Sequence, residues 1–372
     1  MLTSLKLTHF KNYENQTLVF SERLNCLTGL NGMGKTNVLD AIHYLCLCKS
    51  NAGLPDKNLV QHGADFFRLE GLFENETGEK DKVVAKYAAG QKRIMERNGN
   101  TVGRLTDFIG RYPVVMIAPD DVVLVQEGSE ERRRFLDVTL SQISPGYLQQ
   151  LMTYNALLKQ RNALLKTFAA ERRFDASLLE AIDQQMPVPA QEVFEQRKTF
   201  IEGFEPLFAD LYTAISGNRE QVAVAFQSDL LDTPLDVLLT ANLEKDRHLQ
   251  RTTGGPHRDD LQLWMDGQVV KKFASQGQLK SILLALRLAQ YAFLRAQKQQ
   301  APLLLLDDIF DKLDEQRVRQ LVSLLLHRNF GQIFITDTQR SRIESVVASL
   351  AGDYKMFEVE NGRIIPGDPP VF

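Results

Sequence analysis

The chain has 372 residues, 44% hydrophobic and 24% charged, with 44 Lys and Arg against 47 Asp and Glu for a formal net charge of −3. That length calls for one large divided domain or two domains, with core enough to fold without staples, and the charge balance excludes a uniformly basic nucleic-acid coat while leaving room for local basic patches. No run approaches the roughly 18 uninterrupted apolar residues of a membrane span, and Met1-Leu2-Thr3-Ser4-Leu5-Lys6 is no signal peptide, so a cytoplasmic chain without membrane partners is expected.

In chain order, residues 2–10 and 16–28 read as two short strands, with Leu5 and Leu7 on one face and Lys6 and Thr8 on the other. They deliver the chain to Gly29-Leu30-Asn31-Gly32-Met33-Gly34-Lys35-Thr36, which fits the phosphate-loop pattern G-x-x-x-x-G-K-[ST] between an apolar run and a helical pattern. Its glycines let backbone N–H groups turn inward around phosphates, and the next helix adds its positive dipole end. Lys35 is expected to reach the β- and γ-phosphates of ATP, and the Thr36 hydroxyl to hold Mg²⁺. An ordinary Gly-rich turn is the competing reading, disfavoured by the strand before and the helix after.

Val38, Leu39, Ala41, Ile42 and Leu45 recur at helical spacing, predicting a helix over 35–48 with one buried stripe. Cys26, Cys46 and Cys48 cannot pair completely and find no partner ligands at useful spacing, which favours buried thiols. Residues 66–73, 82–88, 93–97 and 114–117 read as strands of an antiparallel subsheet. In that region Lys80, Lys82, Lys86, Lys92, Arg93, Arg97, Arg104 and Arg111 outnumber Glu79, Asp81, Glu96 and Asp107. They are either phosphate contacts along DNA or a solvated sheet face. Helical patterns follow at 132–141, 145–167 and 189–216, broken at Met186-Pro187-Val188-Pro189, and describe a helical lobe inserted into the α/β domain. Its cluster Lys159, Arg161, Lys166, Arg172 and Arg173 has the same ambiguity. The α/β character resumes near Leu261, with buried strands at 302–306 and 332–336. The expected domains are 1–125, 126–250 and 251–372, the first and last together forming the nucleotide fold.

The run Leu303-Leu304-Leu305-Leu306 ends in Asp307-Asp308, an apolar strand that projects carboxylates toward Mg²⁺. Asp307 is assigned to the metal through water and Asp308 to the attacking water, although paired acids after a strand also serve as a helix N-cap and its neighbour.

Ser275-Gln276-Gly277-Gln278, just before a helical pattern over 279–295, resembles the signature motif of ABC-type ATPases, in which a Ser and a Gly at a helix N-terminus touch the γ-phosphate held by the partner subunit. Ser275, Gly277 and Gln278 therefore join the nucleotide candidates by that resemblance, as do Lys11 and Asn12, an exposed turn being the alternative for the last two. Ile309-Phe310-Asp311-Lys312-Leu313-Asp314 falls where such ATPases keep their D-loop, with Asp311 and Lys312 in place of the usual small residue. Thr336-Asp337-Thr338 stands where transporter ATPases place a switch histidine.

His9-Phe10-Lys11-Asn12-Tyr13, Asn31 to Asn37, Pro119-Asp120-Asp121 with Arg132-Arg133-Arg134-Phe135-Leu136-Asp137, Gly255-Pro256-His257-Arg258-Asp259-Asp260-Leu261, and the Ser275 motif together resemble the RecF family of bacterial DNA repair proteins. The resemblance implies an α/β SMC-like, ABC-type ATPase head, a mixed sheet with an antiparallel subsheet and an inserted helical lobe. It further implies ATP-dependent homodimerisation, sequence-independent DNA binding, slow ATP hydrolysis, and work with RecO and RecR in loading RecA at single-strand gaps. His257 and Arg258 are read as structural rather than nucleotide-sensing. A soluble transporter ATPase subunit, a chromosome-organising SMC protein and a small-molecule P-loop kinase are the rival readings. The long helical lobe and missing switch histidine count against the first. The absence of sustained heptads counts against the second, and a kinase would leave the Ser275 motif incidental.

Overall fold

The computed structural model describes residues 1–312, 318, 320, 321, 323–325, 330–347 and 354–366. The chain divides into two compact units, one made of Met1–Asp121, Ala214–Gly217 and Leu284–Phe372, the other of Val122–Thr213 and Asn218–Leu283. The strands are β1 (Leu2–Phe10), β2 (Tyr13–Val19), β3 (Leu24–Thr28), β4 (Phe66–Glu74), β5 (Lys80–Ala88), β6 (Ile94–Arg97), β7 (Asn100–Thr101) and β8 (Val114–Ile117). In the second unit follow β9 (Val222–Gln227), β10 (Asp260–Met265) and β11 (Gln268–Val269), and back in the first β12 (Leu303–Leu306), β13 (Ile333–Asp337), β14 (Tyr354–Glu360) and β15 (Arg363–Pro366).

Two sheets build the first unit. An antiparallel sheet runs β2-β1-β4-β5-β6-β7, and a second runs β15-β14-β3-β13-β12-β8, parallel except for β15. Every residue of β3, β8, β12 and β13 is buried, as strands covered on both faces must be. The segment 16–28 is not one strand: its first part closes a hairpin on β1, and β3 starts afresh in the other sheet. Residues 114–117 leave the antiparallel subsheet as well, pairing in parallel with β12. A four-residue run buried on both sides carries no alternation to say which sheet it joins.

Between these sheets lies the helix Lys35–Leu47, in contact with β4 and β5 on one side and β8 and β13 on the other. It is therefore buried nearly all round rather than along one stripe, including the thiols of Cys46 and Cys48, and Cys26 is buried in β3. Gln332, 4% exposed, ties the N-terminal strands to β13. Its Nε2 donates to the Leu2 and Ser21 carbonyls, both at 2.8 Å, and its Oε1 accepts from Leu2 N–H at 2.7 Å.

The second unit holds the helices Ser129–Ile143, Pro145–Glu171, Ala176–Asp183 and Pro187–Ser216 with a three-stranded antiparallel sheet ordered β11-β10-β9. Pro187 and Pro189 sit in the first turn of their helix, where a missing N–H costs nothing, so the proline break is a helix start. The strand at Leu261 belongs here, paired with β9, and not to the nucleotide sheet.

Buried arginines bind this unit together. Arg197, 2% exposed, donates to Asp137, to Asp259 and to the Pro256 carbonyl, each at 2.7 Å. Arg161, fully buried, holds Asp183 and Asp246 and is thereby removed from any surface cluster. Arg132 pairs with Asp260 at 2.7 Å and Arg133 donates to the Asp259 carbonyl at 2.8 Å, so the Arg132-Arg133-Arg134 and Gly255-Pro256-His257-Arg258-Asp259-Asp260 segments meet in one network. His257 is structural within it. A carbonyl can only accept, so Nε2 carries the proton to Thr252 O at 3.1 Å, and Nδ1 accepts from the Tyr154 hydroxyl at 2.7 Å.

Burial pushes His257 down to about 4 from the ordinary 6.5, and does the same to His43 in the first unit. Both stay neutral when folded and take up protons when unfolded, so stability is full above pH 6.5 and falls as the pH drops from there toward 4. The loss for each is on the order of 3 kcal/mol by pH 4. Urea midpoints taken across that window should fall steeply for the wild type and less steeply for His257→Gln; identical slopes would show that His257 does not titrate on unfolding.

Candidate nucleotide-binding site

The phosphate loop lies in the first unit between the end of β3 and the helix Lys35–Leu47. Gly34 takes φ 116 at the helix N-cap, a conformation L side chains rarely adopt, and a Cβ there would run into the side chains of Asn12 and Tyr13. Leu30, Asn31, Gly32 and Thr36 are exposed along the rim while Lys35 is 3% exposed beneath it. Lys35 Nζ donates to the loop's own carbonyls, Gly29 O at 2.8 Å and Leu30 O at 3.1 Å, and stands 3.9 Å from Asp308 Oδ1. One buried ammonium beside a helix N-terminus with no acidic residue in its first turn is a site built for an anion.

The acidic pair comes from the end of β12. The Thr36 hydroxyl is shared between the two Asp307 oxygens, 2.9 Å from each, across 271 residues of sequence. Burial raises the Asp307 pKa, opposed by hydrogen bonds from Thr336 and Thr36 and by the charges of Lys35 and Lys11. A buried carboxylate beside a hydroxyl offers the hard oxygen donors that Mg²⁺ takes, so the residues present fit the expected Mg²⁺–ATP. Asp308 has φ 41, a left-handed backbone that costs a non-glycine residue about 1–3 kcal/mol and persists only when its surroundings hold it.

Lys11 and Asn12 form the β1–β2 turn and are not an exposed turn. Lys11 pairs with Asp40 of the following helix at 2.7 Å. Asn12 Nδ2 donates to Met33 O at 2.8 Å, its Oδ1 accepts from Asn37 at 2.7 Å, and the Tyr13 hydroxyl donates to Gly34 O at 2.9 Å. Asn12 braces the loop from behind, and Lys11 holds the helix that follows it. Gly362, after β14, adds a bond from its N–H to Met33 O at 3.3 Å.

Ser275 lies in the second unit at the start of the helix Gln276–Lys298. The Gln278 N–H donates to Ser275 Oγ at 3.3 Å and the Ser275 N–H to Gln278 Oε1 at 2.7 Å, a reciprocal cap worth about 1 kcal/mol that S-x-x-Q in the sequence could have announced. Gln278 also donates to Glu220 at 2.9 Å. Ser275 is exposed and Gly277 half-buried. Of the D-loop segment, Ile309–Lys312 forms a short 3₁₀ turn, and Leu313 and Asp314 lie outside the described residues.

A family model for the RecF/RecN/SMC N-terminal domain matches residues 1–364. The DNA replication and repair protein RecF of Porphyromonas gingivalis is 41% identical over 365 residues, 98% of this chain and 99% of that protein. The chain belongs to the RecF family. RecF of Flavobacterium johnsoniae is 42% identical over 358 residues, 96% of this chain and 99% of its own. A solved structure of the recombination mediator protein RecF-ATP in the RecFOR pathway superposes with a TM-score of 0.88 at 28% identity, covering 99% of this chain and 97% of that one. An Smc head bound to the C-winged helix domain of ScpA shares the fold, with a TM-score of 0.60 at 16% identity over 98% of this chain and 97% of that one. The RecF-type α/β ATPase head is thus the fold of this chain, and no helix among the described residues is long and apolar enough to cross a membrane.

Proposed function

We propose that this RecF-family chain is an ATP-controlled DNA clamp: ATP with Mg²⁺ sits on Gly29 to Thr36 of one copy, and Ser275 and Gly277 of a second copy close over its γ-phosphate. The observation that carries this reading is the convergence of Lys35, Thr36, Asp307 and Asp308 at one loop, with contacts of 2.9 Å between Thr36 and Asp307 and 3.9 Å between Lys35 and Asp308. The exposed Ser275 on a capped helix start supplies the complementary anion site. In a two-fold dimer both nucleotides lie in one self-complementary interface. Because the second copy touches the γ-phosphate only when closed, ATP shifts the population toward closure and its slow hydrolysis reverses it. Bound Mg²⁺ supplies charge neutralisation at the phosphates. Thr36, and Asp307 through water, would hold it, Lys35 would bind the phosphates, and Asp308 would orient the attacking water and accept its proton. RecO and RecR as partners are supported by the RecFOR pathway of the solved RecF relative, and RecA loading and a cytoplasmic location complete the reading by family resemblance.

For DNA, most bases of the antiparallel sheet are already compensated. Lys82 pairs with Glu70 and Lys86 with Glu96, both at 2.6 Å, and Arg97 pairs with Asp81 at 2.9 Å. A cavity of about 450 Å³ beside β7 is lined by Arg97, Arg104 and Arg111 with Asp107, Asn98 and Asn100, and Asp81 pairs with Arg97 at 2.9 Å and Arg111 at 3.7 Å. Among the described residues Arg104 makes no ion pair. We assign phosphate contact to this face. The logarithm of the duplex-binding constant of the wild type in the presence of ATP should fall linearly with log salt, without regard to sequence. Arg104→Ala with Arg111→Ala should reduce the slope by about 1.8, roughly 0.9 for each lost phosphate. An unchanged slope would move the DNA to another surface.

A further inference from the structure

Thr336 lies in the buried strand β13, one residue before its end, with no exposed surface. Its single hydroxyl works in two directions, donating to Asp307 Oδ1 at 2.7 Å and accepting from the Asp308 N–H at 2.9 Å. A hydroxyl donates and accepts strongly through one atom; valine, of the same shape, does neither. The second bond fixes the peptide at which the chain enters the left-handed conformation of Asp308, and that turn brings the Asp308 carboxylate to 3.9 Å from Lys35 Nζ. The first bond meets Asp307 on the carboxylate that also takes the Thr36 hydroxyl at 2.9 Å. Thr36, Asp307, Thr336, Asp308 and Lys35 thus form one connected set of contacts beside the phosphate loop.

We propose that Thr336 is a positioning residue of the nucleotide site, holding the metal-side and water-side carboxylates in fixed register. The inference rests on the ATP-hydrolysing clamp above. Loss of the hydroxyl leaves Lys35 and the glycine loop intact, so nucleotide binding without divalent cation should survive while the metal-dependent steps suffer.

The full-length Thr336→Val and Thr336→Ser proteins test this with two readouts: equilibrium binding of a fluorescent ATP analogue as Mg²⁺ is titrated, and steady-state hydrolysis. Thr336→Val should bind the analogue in EDTA within twofold of the wild type. It should need several-fold more Mg²⁺ to reach its binding midpoint, and lose at least tenfold in kcat with KM little changed. Thr336→Ser, which keeps both hydrogen bonds, should restore the midpoint and most of kcat. If Thr336→Val does not fold, Thr336→Cys, a weak donor and acceptor, should move both readouts in the same direction by less. A valine or cysteine protein with wild-type midpoint and kcat overturns the inference and leaves the clamp standing. A wild type that binds the analogue without regard to Mg²⁺ overturns the clamp, and this inference with it.

Discussion

Lys35→Ala is expected to weaken ATP binding on the order of 10²–10³-fold. The ammonium is 3% exposed and is held by two backbone carbonyls beside Asp308. Removing the buried cation that would face the phosphates costs about 3–4 kcal/mol of binding, and each 1.4 kcal/mol is about tenfold in affinity. The loop itself should survive, since its shape rests on Gly34, on the Asn12 and Tyr13 bonds to Met33 and Gly34, and on the buried helix behind it. Calorimetric titration with ATP checks the expectation, with thermal unfolding as the control for folding. An affinity within threefold of the wild type would mean that the phosphates lie elsewhere.

Ser275→Arg should act on the dimer and spare the nucleotide. Ser275 is exposed at the N-cap of Gln276–Lys298, where an anion is welcome and a cation is not. Arginine there removes the cap to Gln278, a loss of about 1 kcal/mol, and sets a bulky positive group where a second copy would close. ATP affinity should stay within about twofold, while ATP-dependent association falls below detection at micromolar protein. Ser275→Thr keeps the cap and should keep the dimer. If Ser275→Arg associates like the wild type at saturating ATP, the second copy does not use this helix start.

The parts of the molecule that the sequence displays are those whose physics is local. The glycine spacing from Gly29 to Gly34 leaves one kind of loop, and the Leu303 to Leu306 run followed by two aspartates describes a buried strand with acids at its end. What stays hidden depends on contacts far apart in the chain. Thr336 reaches Asp307 across 29 residues and Gln332 reaches Leu2 across 330, and nothing beside either residue announces the partner. The same blindness puts Val114–Ile117 in the wrong sheet and the Leu261 strand in the wrong unit, because strand partners are chosen by tertiary packing. Arg161 reads as one more surface base, although Asp183 and Asp246 bury it completely. The site residues carry a further lesson. Lys11 and Asn12 suggest nucleotide contact by position, and that position does not disclose their bonds to Asp40 of the helix and Met33 of the loop.

Mass by light scattering, with and without ATP and Mg²⁺, reads closure of the clamp outright. The 42.2 kDa chain should double in mass when ATP is added, stay single with ADP, and stay single with ATP in Ser275→Arg. A chain saturated with ATP and Mg²⁺ that remains a monomer at tens of micromolar, with duplex DNA present, would contradict it.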